Sequence, residues 1–120
     1  MSNIRPYLQK LWIATFSGGC SNDVLVLRVR DNRHYNPEFY GAYLKRKAFF
    51  DYVMKDVNGA KMPRGKKPHI VNYPVPNINI KQQNEIVTKV HEIENKICIA
   101  EKSLTDLTKK TALILSRYLN

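Results

Sequence analysis

Between Ile86 and Tyr118 the apolar residues step by four and three without a break: Ile86, Val90, Ile93, Ile97, Ala100, Leu104, Leu107, Thr111, Ile114, Tyr118. Thr111 is the single polar member. Each pair of steps sums to seven, and a straight helix cannot hold a seven-residue repeat on one face unless it supercoils around a neighbour. The last third of the chain is therefore expected to be one helix, from about Ile80 to Tyr118, made to lie against another helix. Residues 1–79 hold no second heptad series. The partner is expected to be another chain, or a part of the protein outside these 120 residues.

The flanks of the stripe carry information about orientation. With the Ile86 series at d and the Val90 series at a, the g positions are Lys89, Lys96, Ser103, Lys110 and Arg117. The e positions are Val87, Glu94, Glu101, Thr108 and Leu115. Basic g against acidic e′ suits a parallel pair, whereas an antiparallel homodimer sets g against g. Self-association through Ile86, Val90, Ile93, Ile97, Leu104, Leu107, Ile114 and Tyr118 is expected, because a long apolar row is costly to leave in water.

The rest of the chain must form a small globule from 79 residues. It carries 13 Lys/Arg against 5 Asp/Glu, net +8, while residues 80–120 carry 7 against 5, net +2. A compact piece that basic points to a polyanionic partner, nucleic acid first, with ordinary solubility charge as the alternative. Two cysteines, Cys20 and Cys98, fit a reducing compartment and no disulfide framework. The N-terminal Met-Ser-Asn-Ile-Arg-Pro lacks the apolar core of a signal peptide, and no run approaches a membrane span. A cytoplasmic protein without membrane association is expected.

Leu11–Phe16 and Val24–Val29 read as β-strands, joined as a hairpin through Gly18-Gly19 and the turn formers Ser21, Asn22 and Asp23. Asn36-Pro37-Glu38 opens a helix that the spacing carries toward Lys55: Asn caps free amides, Pro fits the first turn and Glu complements the dipole. Asn58-Gly59 ends it. Gly59 to Pro76 reads as a loop punctuated by Gly and Pro, and within it Lys61, Arg64, Lys66, Lys67 and His69 come without an acidic residue. Asn79 with Gln82 three places on is a variant of the capping box. The fold class is thus α+β (mixed α/β): a globule over 1–79 with a few strands and one helix, then a long coiled-coil helix over 80–120.

No Walker loop, dinucleotide fingerprint or paired-cysteine zinc pattern is present. His34, His69 and His91 are scattered, and no base accompanies Cys20 or Ser21. No catalytic residue, metal ligand or cofactor is expected. The basic loop is the best functional segment. Lys and Arg on such a loop follow a phosphate backbone, and an Arg also forks onto a guanine edge. Lys61, Arg64, Lys66 and Lys67, with Arg5, are the candidate DNA contacts.

Two stretches together resemble a family. Ile70-Val71-Asn72-Tyr73-Pro74-Val75-Pro76, followed by Gln82, Gln83, Ile86, Val87 and the long helix, is similar to the junction of type I restriction enzyme specificity subunits, where a DNA target recognition domain meets a conserved spacer helix. Pro76-Asn77 stands where the family has a double proline. Lys110 through Leu119 resembles the C-terminus of such subunits and of single-chain enzymes with a fused specificity region. Upstream, Ser2–Tyr7, Gly18–Ser21 and Asn36–Tyr40 resemble the second half of a recognition domain.

The resemblance implies a non-catalytic subunit that reads double-stranded DNA. Its spacer helices pack antiparallel, set the distance between half-sites and dock the methyltransferase subunits, while a separate restriction subunit cuts. A complete recognition domain runs on the order of 150 residues, a typical domain length. The 79 residues here are therefore expected to be its distal part: a fragment, a truncated gene or a recombination cassette. On helix orientation, the flanking charges favour parallel and the family antiparallel, and the expectation leans to the family. Two other classes remain: a coiled-coil interaction module whose basic head lacks sequence-specific DNA binding, and, last, a small nuclease.

Overall fold

The structure is a computed structural model and describes residues 1–119. It comprises two units, Met1–Glu85 and a second beginning at Ile86, and the division falls inside the last helix.

The mixed class holds, but the globule has three short α-helices, a one-turn 3-10 helix at Pro6–Leu8 and two two-residue strands where one helix and a few strands were expected. Helix α1, Pro37–Leu44, starts as the sequence predicts: Asn36 Oδ1 accepts from the amides of Glu38 (2.8 Å) and Phe39 (3.4 Å). It stops at Lys45, and α2 runs Lys47–Met54 after an extended Arg46 (ψ 142°). One straight helix would align Phe39, Tyr43, Arg46, Phe50 and Val53 on a single face, with Arg46 in the middle of the apolar stripe. The break removes that conflict. The Arg46 guanidinium lies over the Tyr43 ring at 4.8 Å, and Phe49, Phe50 and Val53 are buried together. They form the core with Met1, Leu25 and Ile70, edged by Leu11, Leu44 and Tyr73.

The expected hairpin is not formed. Leu11–Phe16 and Val24–Val29 contain no ladder, and Val24 makes one isolated bridge, to Ser2. The N-terminal residues take that edge instead: the Asn3 amide donates to Asp23 O (2.8 Å) and the Leu25 amide to Met1 O (2.9 Å). Beyond Leu25 no ladder continues among the described residues, so an apolar run that reads as doubly buried leaves Val26 58% exposed and only Leu25 in the core. Trp12 and Phe16, whose rings lie 5.2 Å apart, are also exposed.

The loop expected over Gly59–Pro76 carries structure of its own. Strands β1 (Val57–Asn58) and β2 (Arg64–Gly65) pair antiparallel, with Asn58 opposite Arg64, and helix α3 spans Lys67–Val71. The connection turns at Gly59, whose φ of 84° is left-handed. On its other edge β2 meets the N-terminal segment: the Arg5 amide donates to Pro63 O (2.8 Å), the Gly65 amide to Asn3 O (3.3 Å), and Ile4 bridges Arg64. Pro suits α3 at its first turn because its missing N–H has no intrahelical acceptor to lose.

Gly65 sits where nothing larger fits. A Cβ there would meet Ile70 Cδ1 and Val53 Cγ1 at 2.9 Å and the buried Asn3 Oδ1 at 3.1 Å. Gly65→Ala forces the two core side chains off their packing, at about 1–3 kcal/mol. Urea unfolding of the variant is the check, and unchanged stability would show that the core at Ile70 gives way freely.

A buried glutamine fastens the start of α4 (Ile80–Leu119) to the segment ahead of α1. The Gln83 side chain is fully buried and fully used. Its Oε1 accepts from the Asn36 amide at 2.7 Å, and its Nε2 donates to His34 O (3.1 Å) and Ile78 O (2.7 Å). Four residues earlier Asn79 caps the helix: its Oδ1 accepts from the Gln82 amide (2.9 Å). The Gln82 side chain returns to the Asn79 side-chain amide (2.8 Å) rather than to the backbone of the usual capping box.

Helix α4 is unbroken, 40 residues and about 60 Å at 1.5 Å per residue. Its stripe is half-buried at Val90 and open to solvent from there on in the single chain: Ile93 is 57%, Leu104 67% and Tyr118 86% exposed. Thr111, the polar member, donates its hydroxyl to Leu107 O at 3.0 Å, so burying it strands no hydrogen-bond donor. No described helix is long and apolar enough to cross a membrane.

Candidate nucleic-acid interface

Arg5 and Arg64 are brought close by the backbone. The bridge from Ile4 to Arg64, with the Arg5–Pro63 hydrogen bond, sets the two cations on neighbouring segments, Arg5 in a left-handed conformation (φ 49°) and Arg64 in β2. Lys66 follows as the residue capping α3 and Lys67 as its first residue, while Lys61 lies in the β1–β2 connection. Arg5, Lys61, Arg64 and Lys67 are exposed and Lys66 is half-buried. Short pairings at Arg5 and Arg64 and the start of α3 at Lys66 and Lys67 thus fix four of the five backbones, and the long side chains reach into solvent.

The absence of acid is true of the segment and untrue of its surroundings. Arg64 Nη2 lies 3.1 Å from Asp23 Oδ1, and Lys66 pairs with Asp56. Asp23 arrives because the N-terminal segment is sandwiched between residues 23–25 and β2, a placement that local composition does not reveal. Both pairs are about half exposed, so each is worth well under about 1 kcal/mol and exchanges readily for a phosphate. Lys61 and Lys67 have no ion pair among the described residues.

His69 does not join the cationic group. Its ring stacks on Tyr52 at 4.0 Å, its Nε2 lies 2.8 Å from Tyr52 O, and the Tyr52 hydroxyl donates to His69 O at 3.2 Å. These reciprocal contacts bind α3 to α2. Tyr73 continues the cluster beside Phe49 and Tyr52, each with ring centroids 5.0 Å away. The Tyr40 hydroxyl donates to Pro76 O (3.1 Å). The Pro-rich junction is therefore held down by aromatics of α1 and α2.

Other cations differ in availability. Arg33 and His34 close a turn on Asp31, whose carboxylate accepts from the Arg33 amide (2.9 Å), the His34 ring (2.8 Å) and Arg33 Nε (3.2 Å). Those bonds, the backbone one foremost, pull the Asp31 pKa down to about 2. Lys47 is held by Asp51 at 2.7 Å. Arg28 and Arg30 are exposed and make no ion pair among the described residues. Local composition passed over both, since they alternate with apolar residues in a run that reads as a buried strand. The described residues include no group of three or more His, Cys, Asp or Glu placed to hold a metal ion. A shallow open pocket lined by Asn32, Asn36, Glu38 and Asn84 holds no nucleophile.

What this arrangement offers is cations on short, fixed backbone, two of them bridged to exchangeable carboxylates. Comparison with known proteins adds one relative. No family model matches the chain, and no solved structure matches it. The chain is 30% identical over 92 residues, 77% of its length, to the type I restriction enzyme EcoDI specificity subunit of Escherichia coli, and it spans 20% of that relative's length. The similarity supports, at the level of the family, the resemblance read at the Ile70–Pro76 junction.

Proposed function

We propose that this chain is a DNA sequence-recognition (specificity) component of a type I restriction–modification system. Residues 1–79 form the distal part of a recognition domain, and residues 80–120 form the spacer helix. The observation that carries this reading is the similarity of three-quarters of the chain to a specificity subunit. The net +8 of residues 1–79 and the exposed Arg5, Lys61, Arg64 and Lys67 support it. In this role the cations follow the phosphates, Arg64 or Arg5 reaches a base edge, and α4 self-associates, spaces half-sites and docks the methyltransferase subunits. The chain itself is non-catalytic and takes no cofactor.

The second reading is a coiled-coil interaction module with a basic head that lacks sequence-specific DNA binding. The Arg64–Asp23 and Lys66–Asp56 pairs favour it, because they neutralise two of the five candidate contacts. Duplex binding at graded salt separates the two. Several phosphate contacts predict a fall in affinity of about tenfold or more between 50 and 200 mM salt. Charge reversal of Lys61, Arg64, Lys66 and Lys67 is expected to flatten that slope. An unchanged slope excludes this surface, and no measurable duplex binding at the lower salt favours the interaction module.

A further inference from the structure

We propose that the open edge of Val26–Val29 takes a β-strand, antiparallel to it and in line with Met1–Asn3, supplied by the proximal part of a recognition domain. Given the reading of residues 1–79 as the distal part of such a domain, on which this depends, the edge is where the two parts meet.

The existing ladder sets the register. Ser2 bridges Val24, and Met1 and Leu25 exchange both of their bonds: the Leu25 amide donates to Met1 O (2.9 Å) and the Met1 nitrogen to Leu25 O (2.8 Å). In an antiparallel ladder such doubly bonded pairs alternate with unbonded ones. A strand in line with Met1 therefore faces the N–H and C=O of Leu27 and then of Val29, while those of Val26 and Arg28 point away. Among the described residues, Val26–Val29 make no backbone–backbone hydrogen bond. No left-handed residue or cis peptide interrupts the run.

The side chains follow the same alternation. Leu25 is buried and Val29 half-buried, while Val26 and Arg28 are exposed. Leu27 belongs with Leu25 and Val29 by its position, yet it is 43% exposed. A strand laid beside it covers it. That strand needs apolar residues opposite Leu27 and Val29, and acidic ones beside Arg28 and Arg30, which make no ion pair among the described residues. A second copy of this chain does not suit: pairing Val24–Val29 with itself brings together the arginines of two globules of net +8.

Met1 supports the same strand independently. Its nitrogen is an ammonium on a buried residue, in the place where a ladder has a peptide N–H, and desolvation there lowers its pKa. An amide in that place donates the same bond with no charge to desolvate.

An extension of about six residues, the usual strand length, fused ahead of Met1 in the full chain reads the outcome. It alternates valine and glutamate, with valine facing Leu27 and Val29. Amide hydrogen exchange is expected to slow about tenfold or more at Leu27 and Val29, and to stay unchanged at Val26 and Arg28. The urea midpoint of the Met1–Glu85 unit is expected to rise. Equal exchange with and without the extension, protection at Val26 and Arg28 instead, or an unchanged or lowered midpoint overturns the strand. Proline facing Leu27 and Val29 sets a ring where the ladder needs an N–H, so that version is expected to give no protection. Protection that survives the prolines also overturns it. Duplex binding of the parent chain at graded salt separates the two readings. A ladder formed on a chain without salt-dependent binding withdraws the recognition domain as the source of the strand. Salt-dependent binding without the ladder overturns the edge alone.

Discussion

Gln83→Ala is expected to destabilise the Met1–Glu85 unit by about 3–5 kcal/mol, measured by urea unfolding followed in the near-ultraviolet circular dichroism of its tyrosines. The side chain is fully buried, and its amide serves three backbone groups: the Asn36 N–H and the His34 and Ile78 carbonyls. Stranding a buried donor or acceptor costs about 1–3 kcal/mol, and the cavity adds to that. A unit of this size has a total stability of roughly 4–13 kcal/mol, so the loss is a large share of it. Gln83→Met keeps the volume and removes only the hydrogen bonds, and it is expected to recover the cavity contribution alone. If Gln83→Met matches the parent chain, the amide is not what joins the α1 and α4 entrances.

That side chain also marks how far the sequence could be read. The helical ends were legible because their chemistry is local: Asn36 and Asn79 cap amides two or three residues away, and both bonds are formed as the residue types predict. The long helix was legible for a different reason, since ten residues in strict heptad order leave no other element that suits them. Gln83 carries no comparable signal. One Gln in a polar first turn looks like solvent-facing surface, and its role depends on residues 47 and 49 positions earlier.

The misreadings share that cause. Val24–Val29 has the composition of a central strand, but composition does not supply the neighbour, and Met1–Asn3 claims only the edge at residues 23–25. The single helix expected from Pro37 to Lys55 fails at Arg46, where spacing alone ignores that a cation falls on the core-facing line. In the candidate interface the cations were legible and their counter-ions were not. Asp23 meets Arg64 across 41 positions of sequence, and nothing short of the folded N-terminal segment reveals the pairing.

Ile93→Asp with Ile97→Asp is expected to abolish association at concentrations where the parent chain is a dimer or higher, with the Met1–Glu85 unit unfolding at the same urea concentration as before. These residues are 57% and 52% exposed in the single chain, in the middle of a row of Ile, Val, Leu and Tyr that is half-buried at Val90 and open to solvent from Ile93 to Tyr118. Apolar surface removed from water contributes about 25 cal/mol per Å², so two helices that share the row gain several kcal/mol. A carboxylate in that seam loses its hydration without a partner, and a dimer would bury four of them. Asn95→Asp with Lys102→Asp, on the f face, also makes the helix more acidic but leaves the seam intact; this control is expected to stay associated. Loss of association in the control as well would assign the effect to charge and not to the stripe. A parent chain that is monomeric would instead leave the stripe to a different helix, and would withdraw self-association from the proposed function while leaving the DNA-binding reading to its own test in salt.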